Sequence, residues 1–572
     1  MAITHSLGEL LSSRDHLVAL FVLPPTLGLV YFLQWFIQRY FLIGKYRNLR
    51  YLPPGPPSSI FTGTPGYPKD KCHIFFKKLS EEYGQIISVW QGPNLQIVLN
   101  SPRVVRDLCY KRGNIYNDRP KMYAFHDCIF RGISIVSTGY NNMWKKQRKI
   151  FNSVSGAAAA KKFLPFQDYE TKQYLHDLLK SPEQFYLHTE RFGASILTTA
   201  VYGFRADDIT DPSALGLLLT GSWLESNLHP GKFVDDRWPI LQQIPRSLAW
   251  WRKTYDDNAK MLDSIARAWW DPAKKAVDQG KAVPCFATDF IKQYPSEGFN
   301  EDEAALVTLG LMLAGAGTTS SIQNYLIMAL ALHPHVVKKA QEELDSVVGK
   351  DRIPVKDDEH NLSYIRAVIK ETLRWRPFSN QGFYHATSKE DWYGSYHIPA
   401  HTTIIANAYS IHQDEKRYKD PEVFEPMRYI DYKLSAQEYA NMDDAEQRDH
   451  FAYGVGRRIC AGLNMAEPSL FLLASRLLWG FNVSQKCDED GKLIPIDTLG
   501  YSGGVFAKPL PFEASISCRS EQHARVIEKE FKNAHSDVRS LAQATKDGDM
   551  PGMQNLVKVL MAHPDTHFAG KT

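Results

Sequence analysis

Cysteine is scarce in this chain, with seven in 572 residues. They form an odd, scattered set from Cys72 to Cys518, which excludes a disulfide scaffold and points to a reducing compartment. A surplus of one charge is also missing: 67 basic residues face 63 acidic ones, a net +4, which gives no electrostatic case for nucleic-acid binding. Between about residues 60 and 518 there is no internal repeat or low-complexity linker. With 44% hydrophobic and 12% aromatic residues, the chain is neither disordered nor fibrous. A mean hydropathy of -0.33 excludes a polytopic membrane protein. Length alone suggests about four domains, yet no linker interrupts residues 60–518, so one large body is expected.

One long uncharged run is present. From His16 to Gln38 there is no Asp, Glu, Lys or Arg, enough for a helix across a bilayer core of about 30 Å. Glu9, Arg14 and Asp15 precede it; Arg39, Lys45, Arg47 and Arg50 follow, so the positive-inside bias places the rest of the chain in the cytosol. Pro24-Pro25 kinks such a span without forbidding it. The alternative is a cleaved signal peptide, but Tyr31, Phe32, Trp35, Phe36, Tyr40 and Phe41 stand where small residues belong. Pro53–Pro57 reads as a stiff extended hinge. The expected organisation is an anchor at 1–44, a body at 45–518 and a charged, partly helical extension at 519–572.

Short strand-like runs occur at 86–90, 95–99, 397–399 and 402–406. Helical patterns dominate elsewhere. Asn300 with Glu303 forms a capping pair before an uncharged run that reaches Leu332; a helix from Glu301 would be about 48 Å long and must cross a core. Further helices are expected at 335–348, 364–375 and 469–481, with Pro468 marking a first turn or a kink. The fold class is mainly α with a minor β-sheet.

The segment Tyr453-Gly454-Val455-Gly456-Arg457-Arg458-Ile459-Cys460-Ala461-Gly462 carries the chemistry. Its glycines allow tight turns and close approach to a flat ligand. The following helix aims its positive end at Cys460, and Arg458 adds charge, so a thiolate is expected. A buried, inert thiol is the alternative. A thiolate on such a loop is a ligand for haem iron.

This segment resembles the haem-binding loop of the cytochrome P450 superfamily, and further motifs extend the resemblance over residues 45 to 518. It implies a helix-rich haem-thiolate domain after the transmembrane helix, with haem b ligated by Cys460 and cradled by Tyr453, Gly454, Gly456 and Gly462. Glu371 and Arg374, three apart on one helix face, resemble the family's paired motif. Arg428 of Pro426-Met427-Arg428-Tyr429 would complete a buried triad with them; the bland reading is a surface ion pair. The resemblance makes Trp144, Arg148, His385 and Arg458 partners for the haem propionates. A core tryptophan beside a surface arginine, and an ordinary strand histidine, remain open for the first three. In Ala314-Gly315-Ala316-Gly317-Thr318-Thr319 the resemblance implies a groove for dioxygen, with Gly315 and Gly317 widening it and Thr318 hydrogen-bonding to oxygen. Small-residue packing against a crossing helix is the alternative. Gly317 occupies the slot of the family's usual acid, which removes a proton donor. Other departures are Met427, Tyr453 and His401.

The resemblance implies an endoplasmic-reticulum monooxygenase that inserts one oxygen atom into a hydrophobic substrate, possessing a fungal, secondary-metabolic look. Electrons would come from NADPH–cytochrome P450 reductase, with cytochrome b5 as a further candidate, docking on Lys145, Lys146, Arg148, Lys149, Arg457 and Arg458. A merely solvated face is the alternative for the lysines. Gly317 leaves open an isomerase, dehydratase or peroxygenase; a haem protein without turnover is a third reading. The substrate pocket is expected near 121–143, 309–313, 377–381 and 502–506, with Tyr123, Phe125, Phe378, Val505 and Phe506. In the extension Ile527, Phe531, Ala534, Val538 and Leu541 recur at helical spacing, to dock on the body or on a partner.

Overall fold

A computed structural model describes residues 23–36, 49–59, 62–228, 232–503, 505–546 and 551–566. Within the expected membrane span, helix α1 covers Leu23–Phe36; residues 16–22 and 37–38, like the rest of 1–44, lie outside the described residues. The body begins with α2 (Cys72–Tyr83) and the hairpin of β1 (Ile86–Gln91) and β2 (Asn94–Leu99). The proline segment before it is extended but does not hang free as a hinge. Ser88 donates from its N–H to Pro54 O (2.9 Å) and from Oγ to Pro53 O (2.7 Å). A Cβ on Gly55 would lie 2.0 Å from Ser88 O, so the segment is laid onto β1.

Helices then fill the chain: α3 (Asn142–Ser155), α4 (Leu164–Lys180), α5 (Phe185–Tyr202), α6 (Pro212–Leu228) and α7 (Lys253–Asp278). Next comes α8 (Glu301–Leu332). Its start is fixed reciprocally: Asn300 Oδ1 accepts from Glu303 N, and Glu303 Oε2 accepts from Asn300 N, both at 2.9 Å. Residues 304–309 and 320–331 of α8 are buried, yet Ala314, halfway along, is exposed. An exposed residue in the middle of a core helix marks a cavity. Against this stretch lies α5, where a Cβ on Gly193 would stand 2.3 Å from Ala316 O; only glycine permits that crossing.

The helices α9 (Pro334–Val347) and α10 (Ser363–Trp375) follow, then β3 (His385–Ala386), β4 (Asp391–Tyr393), β5 (Tyr396–Ile398) and β6 (Thr403–Ala406). One sheet has the order β1-β2-β6-β3, with β2 and β6 parallel and the outer pairs antiparallel. Ile404 of β6 pairs with Ile97 on one side and His385 on the other. Helix α11 (Leu463–Gly480) contains Pro468, so that proline lies inside a helix begun earlier. Strands β7 (Phe481–Gln485) and β8 (Ala514–Cys518) pair antiparallel.

The extension carries α12 (Glu521–Lys546) and α13 (Pro551–Ala562). The near half of α12 docks on α4: Ile527 is buried, Phe531 stacks on His176 at 4.1 Å, and Tyr169 Oη bonds His535 Nδ1 at 2.9 Å. The body is therefore the stripe's partner over this half; the side chains of Val538 and Leu541 lie outside what is described.

Candidate active site

Cys460 precedes α11, whose N-cap is Gly462. Backbone N–H groups of Gly462 and Leu463 point at its sulfur, as the first turn of a helix offers. Gly454 and Gly456 have φ of +81° and +59°, values open chiefly to glycine. A Cβ on Gly456 would meet Cys109 O at 2.4 Å. Cys460 carries exposed surface, yet protein surrounds it on all sides; its exposure faces a cavity of about 1180 Å³.

That cavity gathers Cys460, Tyr453, Gly454, Arg458, Gly462, Trp144, Arg148, His385, Gly315, Gly317 and Thr318. Gly456 does not line it and packs instead against Cys109 and Asn117. Three guanidinium groups converge on one side. Arg148 donates to Ile459 O (2.8 Å). Arg458 donates to Asn117 O (2.9 Å) and Thr138 O (2.8 Å) and lies 4.4 Å over the Trp144 ring. Arg119, which sequence reading passed over, donates to Phe383 O and Tyr384 O, while its buried Nε has no hydrogen-bond partner among the described residues. Its only sequence signal is a base before Pro120 after Asn117-Asp118. Burial, then Arg119 and Arg148, push Arg458 down to about 8, against the pull of Asp118; burial lowers Arg119 to about 10. His385 Nδ1 donates to Tyr116 O (2.9 Å), and burial with Arg119 beside it lowers its pKa to about 3.

A family model for cytochrome P450 matches residues 53–514. The chain belongs to the cytochrome P450 family. Similar proteins include the cytochrome P450 monooxygenase polD of Polytolypa hystricis, 36% identical over 463 residues, which span 81% of this chain and 88% of the relative. The monooxygenase fogE of Aspergillus ruber is 36% identical over 483 residues (84% and 89%). The monooxygenase virE of Hypocrea virens is 34% identical over 498 residues (85% and 89%). As a cytochrome P450, the chain is an oxidoreductase that uses haem ligated by a cysteine thiolate.

The residues present fit haem. Three arginines short of counter-charge, one with an orphaned buried N–H, are suited to two propionates, since forked donors match carboxylates. The thiol opens into the same chamber from a helix N-terminus. In one respect the expectation needs correction. Burial pushes the Cys460 thiol up, outweighing the N–H groups of Gly462 and Leu463, and the favourable cation is Arg148, not Arg458. Iron held at this sulfur would favour its thiolate form, since metal ligands bind deprotonated.

Behind this loop, Arg374 donates from Nε and Nη2 to the two oxygens of Glu371, both at 2.7 Å, and both side chains are fully buried. Arg428 is only partly buried. Its Nε lies 3.5 Å from Glu371 Oε1 without a hydrogen bond, and Nη2 donates to Asp420 O at 2.9 Å. The triad is thus a tight buried pair with a looser third member.

On α8 the helix continues unbroken from 301 to 332, so no break in its ladder widens the groove. Gly315 takes the packing alternative: a Cβ there would stand 3.1 Å from Leu197. A Cβ on Gly317 would meet nothing within 4 Å, so that position opens the chamber. Thr318 Oγ1 turns back to Gly315 O (3.3 Å).

Of the residues expected around a substrate, Phe125, Phe378 and Phe506 line the chamber, with Phe378 stacked on Phe506 at 4.8 Å. Tyr123 instead lies under Arg252 (5.4 Å) and Val505 accepts from Ser379 Oγ through its carbonyl; neither lines the chamber. Phe192, Leu197, Leu217 and Leu224 of α5 and α6 do. Of the basic docking face, Arg148 and Arg458 turn inward. Lys145, Lys146, Lys149 and Arg457 are exposed, and Lys149 pairs with Glu297 at 2.6 Å.

Proposed function

We propose that this cytochrome P450 inserts one oxygen atom of O2 into a hydrophobic organic substrate, with electrons passed from NADPH by a membrane-bound flavoprotein reductase. The observation that carries this reading is the single chamber lined by both Cys460 and Gly317–Thr318. Bound there, haem supplies one-electron chemistry and oxygen activation. Cys460 would hold the iron, and Arg119, Arg148 and Arg458 the propionates. Phe378, Phe383 and Phe506 form an aromatic shelf, with Phe383 edge-on to Phe506 at 5.5 Å, that binds an apolar ring and keeps water from it. The Thr318 hydroxyl would pass a proton across the opening left by Gly317. The isomerase, dehydratase and peroxygenase reading is not favoured, since the relatives are named monooxygenases.

The reading places the protein on the endoplasmic-reticulum membrane, anchored by the uncharged run at 16–38, with the catalytic body in the cytosol. Ile240, Leu248 and Trp250, 73%, 67% and 82% exposed, support a membrane-facing surface beside α6 and α7. Among the described residues only α8 has the length and hydropathy of a span, and most of it is buried, so it is a core helix. The exposed Lys145, Lys146 and Arg457 suit an acidic reductase; cytochrome b5 would use the same face. A role in secondary metabolism accords with this reading.

The test is expression with reductase in microsomes, a reduced carbon monoxide spectrum and untargeted product profiling. Reductase-dependent oxygenated products support the reading. Turnover with peroxide alone, or redox-neutral turnover, would overturn it. Deleting residues 1–44 should release the haem-bound body into the soluble fraction; a body still held on membranes would show that the anchor lies elsewhere.

A further inference from the structure

Helix α6 is apolar on nearly every side, in the sequence Pro-Ser-Ala-Leu-Gly-Leu-Leu-Leu-Thr-Gly-Ser-Trp-Leu. Such a helix cannot lie on a surface with one face wet. Leu217, Leu218, Gly221 and Leu224 face the chamber. The opposite side is covered by α13, which comes from the C-terminal extension beyond the family match at 53–514. Met553, Leu556 and Leu560 of α13 are 0%, 5% and 0% exposed. The contact is close: a Cβ on Gly216 would stand 2.6 Å from Met553 Sδ. After α13 the chain returns to the far end of α6. Ser226 Oγ donates to Asp565 O at 2.9 Å, and Lys232 Nζ pairs with Asp565 Oδ2 at 2.8 Å. Asp565 and Lys232 both line the chamber's edge.

We propose that residues 551–566 are part of the substrate-binding apparatus: α13 positions the chamber wall formed by α6, and Asp565 with Lys232 forms a charged rim that selects among entering ligands. This rests on the reading of that chamber as the substrate site. A helix of 12 residues has little stability alone, so α13 exists as a helix because α6 gives it an apolar bed. The coupling is mutual, since Gly216 of α6 packs directly against Met553 and Val557 of α13. Loosening α13 therefore lets the leucines of α6 shift relative to Phe506 and α8, which changes the chamber's size but not the cysteine loop. The rim pair works differently. It is partly solvated, so it acts on the approach of charged ligands more than on affinity.

The test uses full-length, haem-loaded protein and azole probes that bind the iron and shift its absorption band. Leu560→Asp should accelerate amide exchange in α6 by roughly tenfold or more, as local opening becomes easier. It should change phenylimidazole affinity about fivefold and leave imidazole and carbon monoxide binding within about twofold. Wild-type exchange in α6 together with wild-type phenylimidazole affinity would overturn the positioning role. Should Leu560→Asp fail to hold haem, Gly216→Ala, which presses on Met553 alone, gives the same readouts. Asp565→Asn should raise the association rate of a carboxyphenyl imidazole about threefold relative to neutral phenylimidazole, with the gain lost in high salt. An unchanged ratio would overturn the rim. If wild-type protein binds imidazole but no larger azole, the reading of the chamber as the substrate site fails, and the clamp with it.

Discussion

Arg374 Nη1 donates to the carbonyl of His412 at 2.8 Å, and the ring of His412 accepts the N–H of Phe451 at 2.8 Å through Nε2. Phe451 opens the loop that ends at Cys460. The buried Glu371–Arg374 pair thus reaches the loop that carries Cys460 through one histidine. Glu371→Ala should abolish stable haem incorporation, because it leaves Arg374 buried without a counter-charge at a cost of roughly 3–5 kcal/mol. Haem content per chain after purification is the measure, and full occupancy would disconnect the pair from the loop.

Cys460→Ala should eliminate the thiolate-type carbon monoxide spectrum, since among the described cysteines only Cys460 lines the chamber. Survival of that spectrum would remove the basis of the site.

Arg119→Gln and Arg458→Gln should each speed haem transfer to an excess of apoglobin by roughly ten- to a hundredfold, the loss of one charge-assisted contact of about 1.5–3 kcal/mol. Arg458→Lys should recover little of it, because a point charge cannot reproduce the two carbonyl contacts and the stacking on Trp144. Transfer rates equal to wild type in both glutamine variants would place the propionates elsewhere.

Gly317→Asp meets no steric obstacle, as the space around that Cβ is open, and it restores a carboxylate beside Thr318. Peroxide released per NADPH consumed should be high in wild type without substrate, higher in Thr318→Ala, and lower in Gly317→Asp. Equal ratios in all three would mean that protons arrive by another route.

His73, His412 and His450 are buried and held neutral. Burial lowers His73 to about 3 and His450 to about 4, and takes His412 well below its usual value. Folded values below the unfolded 6.5 mean that the unfolded chain binds more protons in acid. Stability is therefore fully present above pH 6.5 and lost as pH falls toward 4, by about 1.4 kcal/mol per pH unit for each histidine. Melting temperature measured from pH 8 to 5 should be flat to about 6.5 and then drop. His412→Asn, keeping an acceptor toward Phe451, should make that drop shallower.

Much of the site was legible in the chain. The glycine-bracketed Cys460, the capping box of α8 and the spacing of Glu371 and Arg374 depend on neighbours within a few residues, where steric and hydrogen-bonding rules act locally. Arg119, and the part played by α5 and α6 in the chamber, were not legible. A lone arginine and an all-apolar helix show no periodicity that says which side faces a ligand. Only packing reveals it, as when Gly193 meets Ala316 or Phe378 stacks on Phe506.

The sequence by itself determined the family, the glycine-bracketed cysteine proposed as haem ligand and the long core helix, because each rests on ordered local motifs. The tertiary structure alone decided three further matters. Burial outweighs the helix end at the free Cys460 thiol; among the described residues the three arginines around the chamber form no ion pair, with only the charge of Asp118 near them; and the C-terminal extension lies on the chamber wall. Each depends on what surrounds a group in space, since desolvation and long-range contact are set by residues hundreds of positions away.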